Sequence, residues 1–257
     1  MQGMKMENQK DMILLENLSK NYGTKKAVDN ISLKVKEGEM LALLGVNGAG
    51  KSTTIKMLSC LTRPTGGTAK IDGCDVVKQQ ENVKKVVGIS TQETAIARNL
   101  TVEENLKFMA GIYLDPKEYD KKKREERVEK ILLDFKLDEV RKMKSSKLSG
   151  GWQRRLSIAM AMIGDPKVIL LDEPTLGLDV LARRELWREI QKIKKDRTII
   201  LTTHYMEEAQ ELADRIAIMI AGKIVMTGTL AELEERTGQQ GLENVFVSVA
   251  EGDECHE

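Results

Sequence analysis

The chain has 257 residues, 41% hydrophobic and 32% charged, so it can bury a sizeable core, and global disorder is excluded. Its 41 basic and 40 acidic side chains nearly cancel, which removes net charge as an argument for a nucleic-acid partner or an acidic substrate. Three cysteines (Cys60, Cys74 and Cys255) are an odd number without zinc-like spacing, and they point to a reducing compartment rather than a disulfide framework.

Residues 1–11 are polar and unpatterned and are expected to form a flexible leader. They lack the apolar core of a signal peptide, and polar or charged residues interrupt every longer apolar stretch, so the chain is expected neither to cross nor to enter a membrane. MILLENL (12–18), ISLKVKEG (31–38) and EMLALLG (39–45) read as strands, and TAKIDG (68–73) and VVGIS (86–90) as shorter ones. The character changes over 101–164, where Leu106, Met109, Ala110 and Tyr113, then Val128, Ile131, Leu132 and Phe135, recur at helical spacing and predict a helical lobe. Within it, KKKREERVEK (121–130) mixes lysine with glutamate on an amphipathic helix and reads as a solvated face. Strands and helices then alternate: KVILLDEP (167–174), a helix over 180–195, RTIILTTH (197–204), a helix from Met206, then RIAIMI and KIVMTGT. That rhythm implies a parallel α/β sheet with the unbroken apolar strands at its centre. Residues 237–257 form an acidic tail with one possible strand at 244–249.

GVNGAGKST (45–53) follows a strand and opens a helix, the context that makes such a pattern a phosphate loop. With Asn47, Gly48 and Gly50 in the turn, backbone N–H groups converge on phosphate oxygens at a helix N-terminus, where the dipole also favours anions. Lys51 would reach the β- and γ-phosphates, the Ser52 hydroxyl is placed to ligate Mg²⁺, and Thr53 is left to the phosphates or the helix cap. In KVILLDEP an apolar strand ends in two carboxylates: Asp172 can hold Mg²⁺, while Glu173 can orient and polarise a water attacking the γ-phosphate. LSGGWQRR (148–155) supplies a second anion-binding helix start just before that strand. Taken alone, His204 at the end of RTIILTTH reads as a cap or a satisfied edge histidine. His256 beside Cys255 offers too few ligands for a metal site.

In this order the motifs resemble the nucleotide-binding domains of ABC ATPases, over residues 12–235. The resemblance implies a P-loop NTPase fold of the ABC ATPase type in one domain over 12–236, with a RecA-like parallel sheet core, an antiparallel β lobe and an inserted α-helical lobe. It implies ATP and Mg²⁺ as ligands and two domains paired head to tail, as homodimer or heterodimer, with Ser149 and Gly151 of one closing over the γ-phosphate held by the other. It also matches Tyr22 to the aromatic that stacks on adenine and Gln92 to the glutamine that contacts Mg²⁺ and the water. Asp179 matches the loop that crosses the dimer, and His204 the residue that contacts the γ-phosphate. Trp152, Val46 and Leu176 depart from the family's usual Gln, Pro and small residue without removing a phosphate, metal or water contact, and Trp152 is left unassigned.

The implied protein is the ATP-hydrolysing subunit of a transporter, with the texture of small prokaryotic exporters. It would drive a separate integral membrane permease from the cytoplasmic inner face of the cell membrane, through residues 94–99 with Ala97 and Arg98. The alternative is a soluble ABC ATPase with a non-membrane partner; a single phosphate loop and no long coiled-coil insertion weaken its ribosome- and DNA-directed forms. Glu173 and His204 argue against a non-catalytic nucleotide sensor, and the absence of an N-K-x-D element argues against a GTPase.

Overall fold

A computed structural model describes residues 10–194 and 197–252; apart from Lys10 and Asp11 the expected leader lies outside them, as do Cys255 and His256. Strand β1 (Asp11–Tyr22) runs past the apolar run at 12–18 and folds back onto β2 (Lys25–Lys36) through a tight turn in which Gly23 takes a φ of 58°. Backbone pairing, Tyr22 against Lys25 and Asn21 against Lys26, carries both strands beyond their apolar stretches. Strand β3 (Met40–Leu44) leads into α1 (Lys51–Leu58). There follow β4 (Gly66–Ile71), β5 (Cys74–Asp75), α2 (Gln80–Val86) and β6 (Val87–Ser90). Four of these strands make an antiparallel sheet in the order β2-β1-β4-β5.

Next come α3 (Val102–Tyr113), α4 (Lys121–Asp134) and α5 (Gly150–Ala161). A reciprocal Thr101–Glu104 capping box starts α3 and satisfies two backbone donors that the first helical turn leaves open. Helix α4 buries Val128, Ile131 and Leu132 and turns the lysines and glutamates of the 121–130 run to solvent. The chain closes with β7 (Val168–Asp172), α6 (Val180–Lys194), β8 (Thr198–Thr203), α7 (Met206–Leu212), β9 (Arg215–Ile220), β10 (Lys223–Gly228), α8 (Leu230–Thr237) and α9 (Leu242–Glu251). The second sheet has the order β10-β9-β3-β8-β7-β6, parallel except for β10.

Every residue of β3, β7 and β8 is buried. Because successive side chains in a strand point to opposite faces, each of these strands feeds two cores. Met40, Ala42, Leu44, Ile169, Leu171, Ile199 and Leu201 join one, roofed by α3 to α9. Leu41, Leu43, Val168, Leu170 and Ile200 join the other, between the two sheets and around α1.

The possible strand at 244–249 is instead part of α9. Leu242, Val245, Phe246 and Val249 recur at helical spacing and pack into the first core, so periodicity prevails over the β-branched valines that suggested a strand.

Arg141, just after a 3₁₀ turn at Asp138–Val140, ties the helical segment together by donating to Glu103 Oε2 of α3 at 3.2 Å and to both oxygens of Glu129 of α4. With Lys107 Nζ 2.7 Å from its other oxygen, Glu103 is held at about 2 instead of an ordinary 4.5, chiefly by the Arg141 hydrogen bond. A carboxylate lowered on folding stabilises the native state above its unfolded value and loses that contribution as pH falls through the folded one. Glu103→Gln is therefore expected to be less stable than the parent at neutral pH, with the difference shrinking between pH 4.5 and about 2, as measured by urea denaturation across that range.

Candidate functional site

Parallel strands send all their carboxyl ends to one edge of the sheet, and the chain leaves β3, β6, β7 and β8 there. After β3 comes the Gly-rich loop, in which Gly50 caps α1 at a φ of 108°. A Cβ at this position would lie 2.4 Å from the Ala27 carbonyl oxygen, so both conformation and space require glycine. The first turn of α1 aims backbone N–H groups out of the helix toward the loop's concave side. Lys51 is buried, and its Nζ donates to the Gly45 carbonyl at 2.7 Å and the Val46 carbonyl at 3.2 Å.

At the end of β7 two carboxylates diverge in role. Asp172 Oδ1 accepts from Ser52 Oγ at 2.9 Å and from Thr202 Oγ1 of β8 at 2.6 Å. Glu173 follows with a φ of 48°, unusual for a residue with a side chain, and its N–H is held by the Thr202 carbonyl and hydroxyl at 3.1 and 3.0 Å. The Glu173 carboxylate, only 5% exposed, lies between two nitrogens: Lys51 Nζ at 3.1 Å from Oε1 and His204 Nδ1 at 2.8 Å from Oε2.

Lys51, Ser52 and Glu173 line a cleft of about 470 Å³ that also takes in Asn47, Gly48, Gly50, Thr53 and Gln92, with half-exposed Tyr22 at its rim; Asp172 and His204 stand behind it, in contact with Ser52 and Glu173. The Ser52 hydroxyl and the Asp172 carboxylate, already in contact, form a partial oxygen set of the kind Mg²⁺ accepts when substrate oxygens and waters complete its shell. Among the described residues no cluster of three or more His, Cys, Asp or Glu side chains forms a metal cage.

Of the expected residues, Asp172 and His204 reach the cleft only through Ser52 and Glu173, which line it, and three others stand apart from it altogether. Among the described residues Ser149, Gly151 and Asp179 do not line the cleft. Ser149 caps α5, and Asp179 is exposed and accepts from the Ala182 N–H at the start of α6. A Cβ on Gly151 would lie 3.5 Å from that of Ala182, so the starts of α5 and α6 are adjacent. Exposed Ala97 and Arg98 are fixed from behind: buried Asn105 accepts from the Ala97 N–H and donates to its carbonyl, and the Ser146 N–H donates to the Arg98 carbonyl.

Other members of the site escaped the sequence reading. Thr202 was visible as a hydroxyl at the end of a buried strand, but its partner Asp172 lies on a different strand. Lys25 joins the cleft because the β1–β2 hairpin brings it there. Arg154 donates to the carbonyls of Thr91 and Gln92; the available signal was a charge on the helix face that also carries Ser157 and Ile158. Burial pushes the Glu208 carboxyl up, and its Oε1 accepts from Thr175 Oγ1 and Trp187 Nε1 behind the Glu173 loop.

Residues 28–176 match a family model described as ABC transporter. ABC transporter A family member 9 of Dictyostelium discoideum is 43% identical over 228 residues, covering 88% of this chain and 26% of its own length. The phospholipid-transporting ATPase ABCA3 of Homo sapiens is 42% identical over 212 residues, covering 82% of this chain and 12% of its own. The chain thus spans about a quarter or less of the length of these curated relatives. Among solved structures, the ATP-binding subunit of an ABC transporter superposes with a TM-score of 0.82 at 29% identity, covering 93% of this chain and 99% of that one. A dimeric post-hydrolysis state of the ATP-binding cassette MJ0796 bound to ADP and Pi gives 0.76 at 28% identity, covering 85% and 99%.

Because Gly50 occupies a backbone region that costs other residues about 1–3 kcal/mol and has no room for a methyl group, Gly50→Ala is expected to destabilise the fold by at least that much in chemical denaturation.

Proposed function

The chain belongs to the ABC transporter family of ATPases, and on that premise we propose that it binds and hydrolyses ATP as a dimerising engine for a membrane-spanning partner. The observation that carries this reading is Glu173 held between Lys51 and His204 in the cleft wall. The Lys51 ammonium is shared by two loop carbonyls and this carboxylate. Phosphate oxygens entering the loop compete for the ammonium and release Glu173 Oε1 to accept a hydrogen bond from water, with His204 still fixing Oε2. The charge that binds the phosphate and the carboxylate that polarises water are thus linked by one contact.

Loop N–H groups and Lys51 would hold the phosphates, Tyr22 would stack on adenine, and Thr53 would serve the phosphates or the helix start. Ser52, Asp172 and Gln92 would hold Mg²⁺, which supplies positive charge against the phosphate oxygens. Exposed Ser149 and Asp179 and half-buried Gly151, all outside the cleft, would act on nucleotide held by a second copy or a homologous chain. The dimeric cassette among the structural neighbours supports this pairing. ATP shared between both subunits would close the dimer, and loss of the γ-phosphate would open it.

Among the described residues no helix is long and apolar enough to cross a membrane. We assign the spanning part to a separate permease, with this domain peripheral on the cytoplasmic face of the cell membrane and residues 94–99 at the contact. Transport is taken to be export, and the phospholipid-transporting relative makes an amphipathic lipid the first cargo to assay.

Mg²⁺-dependent ATP hydrolysis and solution mass, measured for the chain and for Glu173→Gln, test this reading. Loss of the carboxylate is expected to slow hydrolysis by about 10²-fold or more while ATP binding persists and an ATP-dependent dimer accumulates. Hydrolysis by a monomer that tolerates Glu173→Gln would refute it.

A further inference from the structure

Helix α5 grips the loop that carries Gln92. Arg154, on its second turn and 5% exposed, donates from Nη1 to the Thr91 carbonyl at 2.7 Å and from Nη2 to the Gln92 carbonyl at 2.6 Å. One turn on, Ser157 Oγ shares a hydrogen bond of 2.9 Å with Ser90 Oγ. Positions 154 and 157 lie on one helix face, so three consecutive residues at the end of β6 are fastened to that face. A planar guanidinium reaching two successive carbonyls fixes direction as well as distance, which a single hydrogen bond does not. Burial lowers the guanidinium from its ordinary value while Asp172, Glu208 and Glu173 act in the opposite sense, so the side chain sits within the field of the site's carboxylates.

At the N-terminal end of this helix lie Ser149, five residues or roughly 7.5 Å of helical rise away, and Gly151, about 4.5 Å away. One stiff turn and a half separates the loop facing the chain's own nucleotide from the helix start that faces the nucleotide of the other subunit. We propose that Arg154 is a positioning residue that couples the two ATP sites, passing movement of the Gln92 loop in one site to the α5 start that completes the other. This rests on the dimeric ATPase reading above. ATP seated against Gln92 thereby aligns the α5 start before the second subunit docks, and hydrolysis in one site disturbs the other through the same fork.

The test uses the 257-residue chain in the Glu173→Gln background. ATP affinity is measured by titration calorimetry at concentrations where the chain is monomeric, and the concentration for half-dimerisation by sedimentation at saturating Mg²⁺ and ATP. Arg154→Met, which keeps the volume and removes the donors, is expected to bind ATP within about twofold of the parent but to need about tenfold more protein to dimerise. Arg154→Lys, which keeps donors but not the fork, should fall between. With Glu173 intact, the Hill coefficient for ATP hydrolysis should drop toward unity in Arg154→Met. Dimerisation unchanged in Arg154→Met, or in Arg154→Lys if the methionine variant does not fold, would overturn the inference while leaving the ATPase reading intact. A parallel loss of ATP affinity would reduce Arg154 to a structural role and overturn it as well. A Glu173→Gln parent that forms no ATP-dependent dimer would remove the functional reading and this inference together.

Discussion

Strands β3, β7 and β8 have no side facing water, so their backbone N–H and C=O groups must find partners in neighbouring strands. Parallel pairing meets that demand only with crossover connections, and the helices that make the crossovers cover the faces of the sheet. The same geometry delivers the phosphate loop, the Asp172–Glu173 pair, His204 and the Gln92 loop to one edge although they are scattered over more than half of the sequence. The cleft therefore depends on burial of the central strands before it depends on any single catalytic side chain.

The edge then concentrates charge where water is scarce. Lys51 and Glu173 are 4% and 5% exposed, and a buried ion pair is weak support for stability because desolvation offsets the attraction. Removing one partner leaves the other uncompensated, at about 3–5 kcal/mol. The left-handed backbone at Glu173 adds strain that persists because the Thr202 carbonyl and hydroxyl both hold its N–H. Behind it Glu208 is buried with hydrogen bonds from Thr175 and Trp187 on one oxygen. The site is thus set in a region that the remaining core must stabilise.

Most of the fold and the chemical motifs were legible because they rest on local rules. A strand entering a glycine turn before Lys51 and Ser52, an apolar strand ending in two carboxylates, and alternating strands and helices each constrain residue type at fixed spacing. What was not legible lies between segments. Thr202 meets Asp172 across two strands, Arg154 reaches a loop more than sixty residues back, and Lys51 pairs with Glu173 across the cleft. The valines of α9 concealed a helical period, and the length of the β1–β2 hairpin came from its backbone ladder rather than its side chains.

Alternate residues of β3, β7 and β8 feed two different cores, and this bears on how the sheet keeps its alignment. A strand with one polar face resists slipping by a residue because the slip would bury the polar groups. Between their ends these three carry only apolar side chains, so a slip would there merely exchange them between cores, and the resistance comes from the strand ends, where buried Asp172, Thr198, Thr202 and Thr203 lie. Thr198 Oγ1 accepts from the Gly38 N–H and Asp214 from the Met40 N–H at one end, while Thr202 bridges Asp172 and Glu173 at the other. Asp172 and Thr202 are accordingly register pins as well as parts of the site: the hydrogen bonds that shape the cleft also tell the central strands where to stop.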